Sequence, residues 1–204
     1  MTPLNQISGK LHKELVYSRR INQLCKLLLE VIPPDTKSLL DVGCGDGLLT
    51  SMIKEQRPDL EVKGVDVLVR PENRIEVIPF DGFNLPFDDK SFDMVIFFDV
   101  LHHTTDLNQL LKEASRVSRK FIVVKDHIQS DLYSKLVLRF MDWVGNSSHG
   151  VALPYNYQKK KQWDIINEKN HLTMDLYFTQ LNLYPKPFNY LFDRNLHFLA
   201  RYIV

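Results

Sequence analysis

Three glycines stand close together in a sequence that otherwise uses few. Gly43, Gly45 and Gly47 fall within five residues and are three of the eight glycines in the chain. Glycine costs backbone entropy on folding, so it is used where the backbone needs a positive φ or where another group approaches closely. An apolar run, 38–42, precedes the cluster, and a segment with a helical pattern, 48–55, follows it. A strand, a tight loop and a helix in this order predict a loop that binds a nucleotide.

The spacing of these glycines narrows the kind of nucleotide. The dinucleotide fingerprint GxGxxG needs its third glycine at position 48, where this chain has Leu48. A P-loop needs a lysine followed by serine or threonine after its last glycine, and Leu48 and Leu49 supply neither. The loop is therefore not expected to bind a phosphate chain. Because Leu48 replaces the third glycine of the fingerprint, a nicotinamide-dependent oxidoreductase is the weaker alternative.

Strand and helix patterns alternate after the loop, which predicts a parallel sheet covered by helices on both faces. Strands are predicted at 38–42, 61–66, 75–79, 92–98 and 120–125, and helices at 9–31, 48–55, 106–118, 131–144 and 158–169. Two final strands, 171–179 and 196–204, are expected to close the sheet as an antiparallel pair. The expected fold class is thus a doubly wound α/β domain, and the whole chain, 1–204, is expected to form one domain.

Acidic residues follow successive predicted strands. Asp66 ends the second strand, Asp81 and Gly82 follow the third, and Asp99 ends the fourth. Ligands of open α/β sheets bind at the carboxyl ends of the strands, so these acids are candidate contacts for a nucleoside. An acid directly after a strand is also a common turn residue, and that alternative stays open for Asp66 and Asp81.

The order of these features resembles a known family. Asp41-x-Gly43-x-Gly45-x-Gly47, the Leu85-Pro86-Phe87 and Ser91-Phe92-Asp93-Met94-Val95 segments, and Asp99-Val100-Leu101-His102-His103 occur in the sequence of motifs of class I S-adenosylmethionine-dependent methyltransferases. The resemblance runs from about residue 38 to 126. It is closest to the small-molecule branch called type 11, which includes quinone-biosynthesis methyltransferases. It implies a Rossmann-like, mostly parallel seven-stranded sheet.

The resemblance also implies a cofactor, S-adenosylmethionine, and its product S-adenosylhomocysteine. Asp66 would accept the ribose hydroxyls, Asp81 would meet the adenine amino group, and Asp41 would either contact the cofactor or orient the loop. The full set of candidate cofactor-binding residues is Asp41, Gly43, Cys44, Gly45, Gly47, Asp66, Val67, Asp81, Gly82 and Asp99. A protein that binds this cofactor without transferring its methyl group, as a sensor or assembly protein, is the alternative that the cofactor motifs leave open.

Methyl transfer needs a nucleophile held in line with the sulfonium methyl group in a pocket that excludes water. For a hydroxyl, phenol or activated carbon acceptor, a histidine can remove the proton at neutral pH. His103 and His149 are the candidate catalytic residues. Residues 127–170 are expected to cover the acceptor and, with the helix in 1–34, to set specificity. Tyr133, Met141, Trp143, His149, Tyr155, Asn156 and Tyr157 offer aromatic walls with polar groups there. A small, aromatic or lipid-like acceptor is therefore expected.

Composition and missing motifs exclude several partner classes. The net charge of +1 provides no basic field for nucleic acid, and the fourth strand lacks the Asn/Asp-Pro-Pro-Tyr/Phe turn of amine methyltransferases. No apolar segment reaches the roughly 20 residues that cross a bilayer, and the helix at 131–144 is expected to pack in the core rather than on a membrane. Cys25 and Cys44 predict two reduced thiols in a cytoplasmic protein. No metal site is expected, because Asp106 is better explained as a helix cap.

Overall fold

The computed structural model describes residues 3–146 and 154–204, with side chains described for 17–144 and 154–204. Seven strands are present: β1 Ser38–Val42, β2 Glu61–Asp66, β3 Val77–Pro79, β4 Phe92–Phe98, β5 Ser118–His127, β6 Thr173–Phe178 and β7 His197–Ile203. The helices are α1 Pro3–Val31, α2 Leu48–Gln56, α3 Leu107–Val117, α4 Leu132–Asn146, α5 Lys160–Lys169 and α6 Asn189–Phe192. A 3₁₀ turn, Leu101–His103, follows β4.

The seven strands form one sheet in the order β3-β2-β1-β4-β5-β7-β6. The first five strands pair in parallel, and β7 runs antiparallel to both β5 and β6. The order reverses between β1 and β4, so the loops after these two strands open a crevice at the carboxyl edge. This arrangement confirms the doubly wound, mostly parallel sheet and its antiparallel C-terminal pair.

Alternate residues of the central strands fill two separate cores. Leu40 and Val95 pack on one face with α3 and α5, whereas Leu39 and Met94 pack on the other face with α1 and α2. Because successive side chains of a strand point to opposite faces, a continuous apolar strand needs cover on both sides. The helices on each side supply that cover and hold the carboxyl ends of the strands in register.

Several predicted elements need correction at their ends, among them the first helix, which begins at Pro3 rather than at residue 9. The third strand is limited to Val77–Pro79, because it pairs with only the last three residues of β2. The fifth strand continues past 125 to His127, whose partner in the ladder is His197 of β7. Lys125, Asp126 and His127 are polar and suggest a strand end in the sequence, yet the antiparallel neighbour extends the ladder through all three.

The expectation that α4 packs in the core is wrong for one of its faces. Leu138 and Asp142 are buried, but an apolar stripe formed by Leu132, Leu136 and Phe140 faces outward, and each of its side chains is more than half exposed. None of the helices in the described part of the chain combines the length and the apolar character that a bilayer crossing requires.

Candidate cofactor cleft and buried histidine cluster

The glycine loop takes a backbone path that other residues would not adopt without strain. Gly43, Gly45 and Gly47 have φ values of 74°, 62° and 75°. A Cβ atom on Gly43 would lie 2.5 Å from Val100 Cγ2, in the loop after β4, and one on Gly47 would lie 2.5 Å from Ile75 Cγ1. Both the positive φ and the close neighbours therefore require glycine here. The loop is packed tightly between the segments that follow β2 and β4.

Asp66 is held beside this loop with its carboxylate oriented. Oδ2 accepts a hydrogen bond from the Gly45 amide at 2.8 Å, and Oδ1 accepts one from the Leu68 amide at 2.8 Å. Each carboxylate oxygen can accept a second hydrogen bond, so the pair can receive two neighbouring hydroxyl groups. The side chain is only partly buried, which leaves it accessible to a ligand. This geometry suits the predicted role with ribose.

Asp41 lies beneath the loop at the end of β1, and the structure buries it. The Thr50 hydroxyl of α2 donates a hydrogen bond to Asp41 Oδ2. Burial raises the pKa of the Asp41 carboxyl to about 7, and the hydrogen bond from Thr50 offsets only part of that shift. These contacts favour the role of orienting the loop, by tying β1 to the first turn of α2.

Cys44 faces the sheet. A Cβ atom on Gly64 of β2 would lie 2.4 Å from Cys44 Sγ, so the thiol fills the space that Gly64 leaves. Burial raises the pKa of the Cys44 thiol, which makes it a poor nucleophile. Cys44 can therefore contact a cofactor only through its backbone. Its side chain also explains why residue 64 is glycine, for which the sequence alone indicated no role.

Val67, Asp81 and Gly82 border the cleft where an adenine ring is predicted. The Val67 side chain is 56% exposed, and Gly82 has a φ of 85° and packs near Val67. Asp81 Oδ1 accepts hydrogen bonds from the Phe83 and Asn84 amides at 2.7 and 2.6 Å. The Asn84 side chain donates to Asp81 Oδ2 at 2.7 Å. Asp81 therefore stabilises its own turn, and its contact with adenine stays a prediction.

Asp99 belongs to a charge cluster, which consists of Arg20, Asp99 and Lys125. Asp99 has a φ of 55°, and its carboxylate pairs with Arg20 of α1 through one oxygen and with Lys125 of β5 through the other. The Lys125 side chain is fully buried. Burial alone would raise the pKa of Asp99, but the Lys125 and Arg20 charges hold it well below its usual range. With both oxygens in ion pairs, Asp99 links α1 to the sheet, and its contact with cofactor stays a prediction.

A second group, the histidine cluster, contains His102, His103, Asp126 and Asp142. His102 Nδ1 lies 2.7 Å from Asp126 Oδ1, and His102 Nε2 lies 3.7 Å from Asp142 Oδ1. His103 Nε2 lies 3.3 Å from the same Asp142 oxygen. The Tyr157 ring stacks on His102, with 5.1 Å between ring centroids. Burial alone would lower the pKa of His102, but the charge and hydrogen bond of Asp126 raise it to about 10.

Two further histidines lie behind this cluster and are held neutral. Burial, followed by the Lys125 charge, lowers the pKa of His127 to about 4. The same two causes lower the pKa of His197, whose Nε2 donates to the Phe192 carbonyl at 2.8 Å. His197 Nδ1 then faces Lys125 Nζ at 3.4 Å as an acceptor. A layer of buried polar side chains thus lies at the carboxyl edge of the sheet, next to the glycine loop. This layer, the polar floor, consists of Lys125, Asp126, His127 and His197.

The structure brings together only part of the acceptor side that the sequence predicts. His103 and Tyr157 lie at the histidine cluster, whereas the Trp143 side chain is 58% exposed. His149 lies outside the described residues. Sequence reasoning missed Arg20, Lys125, Asp126, His127, Asp142 and His197. One sequence feature could have indicated these residues, namely the polar run Lys125-Asp126-His127 directly after an apolar strand. Ligands of open α/β sheets bind at the carboxyl ends of the strands, where this run lies.

Known proteins match both the sequence and the fold. The type 11 family described as a methyltransferase domain matches residues 40–121. Demethylmenaquinone methyltransferase of Thermotoga maritima is 32% identical over 151 residues, 66% of this chain and 65% of that protein. Ribosomal RNA small subunit methyltransferase C of Shewanella loihica is 27% identical over 144 residues, 62% of this chain and 41% of that protein. The chain thus spans less than two thirds of either relative's length.

A solved structure extends the match to most of the chain. A SAM-dependent methyltransferase of Aquifex aeolicus aligns with a TM-score of 0.59 at 15% identity, over 88% of each chain, which shows a shared fold. The glycine loop, the strand order and the matched family agree. Together they support a class I S-adenosylmethionine-dependent methyltransferase of the type 11 branch.

Proposed function

We propose that this protein transfers the methyl group of S-adenosylmethionine to a small organic acceptor. The observation that carries the proposal is the Asp66 carboxylate, which Gly45 and Leu68 amides hold beside a loop of three positive-φ glycines. In this assignment the ribose lies on Asp66, and the adenine lies near Val67, Asp81 and Gly82. The methionine part lies over the glycine loop, toward the residues that follow β4.

The histidine cluster supplies the chemistry for an acceptor that must lose a proton. His103 is partly exposed and pairs with Asp142, which lies on α4. A histidine beside a carboxylate can accept a proton from a hydroxyl, a phenol or an activated carbon as the methyl group arrives. In-line displacement on the sulfonium then depends on how well the acceptor is positioned and on the exclusion of water. Residues 127–170, which include α4 and α5, are proposed to cover this acceptor.

A small acceptor with an aromatic or lipid-like portion agrees with the surfaces near the cleft. The apolar stripe of α4, defined by Leu132, Leu136 and Phe140, is exposed on the helix that also carries Asp142 of the histidine cluster. The chain carries a net charge of +1, which provides no general attraction for nucleic acid. Its relatives include both a demethylmenaquinone and a ribosomal RNA methyltransferase. Cys25 and Cys44 are free thiols, as expected in the cytoplasm, where we propose that the protein acts.

Cofactor binding is tested by replacing Asp66. We expect Asp66→Ala to weaken S-adenosylhomocysteine binding about tenfold or more, because a charge-assisted hydrogen bond contributes about 1.5–3 kcal/mol. Isothermal titration calorimetry measures the affinity. The matched control is Asp88→Ala, which removes an exposed carboxylate just before β4, at the opposite edge of the sheet. Equal affinities of the two variants would remove Asp66 from the site. A thermal shift with NAD but not with S-adenosylhomocysteine would overturn the cofactor assignment.

A labelled-methyl screen separates the enzyme from the sensor alternative. The protein is incubated with S-adenosylmethionine labelled at its methyl group and with metabolite extract, and products are separated by chromatography. We expect a labelled small molecule whose amount is lower with Asp66→Ala at limiting S-adenosylmethionine. Tight S-adenosylhomocysteine binding without any labelled product would favour a non-catalytic protein. Label recovered in RNA rather than in a small molecule would contradict the proposed acceptor class.

A further inference from the structure

Three side chains of the histidine cluster bring one ligand atom each to the same place. His102 Nε2 and His103 Nε2 lie 3.7 and 3.3 Å from Asp142 Oδ1, and all three atoms lie within 4.8 Å of one another. Imidazole nitrogen and carboxylate oxygen are ligands that zinc binds. We propose that His102, His103 and Asp142 form a binding site for a divalent transition metal ion of the zinc class. The sequence alone provides no reason to expect this site, because Asp106 caps α3 and the third ligand comes from α4.

The spacing of these atoms suits a small tetrahedral ion. Two ligand atoms that each lie about 2.0–2.2 Å from zinc in a tetrahedral site are about 3.3–3.6 Å apart. The distance between His103 Nε2 and Asp142 Oδ1 already has this value, and that between His102 Nε2 and Asp142 Oδ1 exceeds it by little. The two histidines are neighbours on the 3₁₀ turn, and Asp142 approaches from α4. The two distances to Asp142 therefore need only small side-chain movements to fit a bound ion.

The surroundings orient these ligands as the surroundings of metal sites do. Asp126 Oδ1 lies 2.7 Å from His102 Nδ1, so the carboxylate accepts a hydrogen bond from Nδ1–H. The ring is thereby oriented with Nε2 toward the site. The Tyr157 hydroxyl donates to Asp142 Oδ2 at 2.9 Å, which leaves Oδ1 directed at the site. Ligating histidines commonly donate their other nitrogen to a carboxylate in this way. Asp126 and Tyr157 thus fix the orientation of His102 and Asp142.

Burial and charge favour a cation at this position. The side chains of His102 and Asp142 are 2% and 5% exposed, and Asp126 beside them is also buried. Asp126 and Asp142 bring two negative charges into this low-dielectric region, whereas Lys125 and Arg20 are paired with Asp99. A second set, His102, Asp126 and His127, also places three ligand atoms together. It is less suitable, because Asp126 Oδ1 already bonds both Nδ1 atoms, at 2.7 and 3.2 Å.

The ion would have a use in the reaction, and this step rests on the proposed function. A bound divalent cation acts as a Lewis acid and makes a coordinated hydroxyl more acidic, so its proton can pass to solvent. With the ion bound, His103 would act as a ligand, and the ion would replace it as the group that assists proton loss. The acceptor class that such a site favours is an oxygen nucleophile, such as a phenol or enol, over an amine. His102 and His103 follow Val100, which packs against Gly43 of the glycine loop, so an acceptor held here would lie on the cofactor side of the sheet.

Cobalt binding tests the site directly. Protein purified without a polyhistidine tag and dialysed against a chelator is titrated with Co²⁺ while the visible spectrum is recorded. We expect the absorption bands of tetrahedral cobalt to saturate at one equivalent and to disappear when Zn²⁺ is added. His103→Ala and Asp142→Asn should abolish the bands, and Asp126→Asn should weaken binding about 10–100-fold. His171→Asn, which replaces an exposed histidine in β6's preceding loop, should bind as the wild type does.

Each other outcome overturns the metal site. Absence of the bands in wild-type protein, or bands that survive in both His103→Ala and Asp142→Asn, would do so. If these variants do not fold, as judged by circular dichroism, X-ray absorption of the zinc-loaded wild type decides, since it must show imidazole and oxygen ligands and no sulfur. S-adenosylhomocysteine binding is measured on the same chelated protein. Cofactor binding without cobalt binding removes only the metal site, whereas loss of cofactor binding removes the proposed function.

Discussion

At the scale of single residues, the packing around the cofactor cleft depends on pairs of neighbours. In each pair one residue is glycine, because the side chain of the other leaves no room for a Cβ atom. Gly64 and Cys44 are such a pair, since the thiol sulfur occupies the position of a Cβ atom at 64. Gly43 and Val100 are another. These pairs join β1, β2 and the loop after β4. A change in one member should therefore depend on the identity of the other.

A double-mutant cycle tests the first pair. Gly64→Ala would place a Cβ atom 2.4 Å from Cys44 Sγ, so we expect the free energy of unfolding to fall by about 1–3 kcal/mol, as in other overpacked cores. Combining it with Cys44→Ala removes the sulfur and should recover part of this loss. Chemical denaturation of the wild type, both single variants and the double variant measures the coupling. Strictly additive effects would show that the thiol does not limit the size of residue 64.

Asp41 gives a prediction about pH. Its pKa is raised to about 7 by burial, whereas the unfolded chain releases this proton near the ordinary carboxyl pKa of 3.8. Between these values the folded state holds a proton that the unfolded state lacks, so this group makes stability fall as pH rises toward 7. Asp41→Asn keeps an acceptor for Thr50 and removes the ionisation. We expect the variant to gain at least about 1.4 kcal/mol relative to wild type between pH 5 and pH 8.

Thermal and chemical unfolding at the two pH values measures that gain. Other groups contribute to the pH dependence of both proteins, so the relevant quantity is the difference between Asp41→Asn and wild type at each pH. A difference that stays constant from pH 5 to pH 8 would mean that Asp41 is ionised in the folded protein throughout this range.

At the scale of elements, helix α3 begins where its cap residue predicts. The Asp106 side chain accepts a hydrogen bond from the Gln109 amide at 3.0 Å, which satisfies one of the free amides of the first turn. The helix buries Leu110, Leu111, Ala114 and Val117 against the sheet. Its start follows directly on the 3₁₀ turn that carries His102 and His103. The cap therefore also fixes the end of the segment that forms the histidine cluster.

We expect Asp106→Ala to lower the free energy of unfolding by about 1 kcal/mol, the usual effect of losing an N-cap side chain. Asp106→Asn is the matched control, because asparagine caps as well as aspartate and removes only the charge. Urea denaturation compares the two variants. If asparagine destabilises as much as alanine does, the negative charge near the helix N-terminus, and not the hydrogen bond, carries the effect.

At the scale of the whole molecule, the sequence predicted the fold better than it predicted the acceptor side. Apolar strands and the glycine loop are local patterns, and each can be recognised from one short segment of the sequence. The histidine cluster joins the turn after β4, the end of β5 and the middle of α4, so its members are separated by up to 40 residues. No spacing along the chain reveals such a group. Asp142 in particular has the sequence context of an ordinary helix surface residue.

The charge cluster was also beyond sequence reasoning, for a different reason. Arg20 lies in a helix whose pattern predicts only an apolar face, and Lys125 ends a strand, where a lysine usually faces solvent. The antiparallel strand β7 covers the end of β5 and buries Lys125. An exposed or a buried lysine at this position cannot be distinguished until the neighbour of β5 is known.

Lys125, Asp126 and His127 occupy positions of a central strand that apolar residues could fill. Buried ion pairs can often be replaced by well-packed apolar residues with little loss, or with a gain, in stability. A sequence redesigned for thermostability alone would therefore select against these three residues and keep the seven strands intact. The redesigned protein would fold well and have no polar floor beside its cofactor. Libraries made to stabilise this domain should hold these positions constant. The free energy of unfolding that variants gain when they replace these residues measures how much stability the native residues cost the fold.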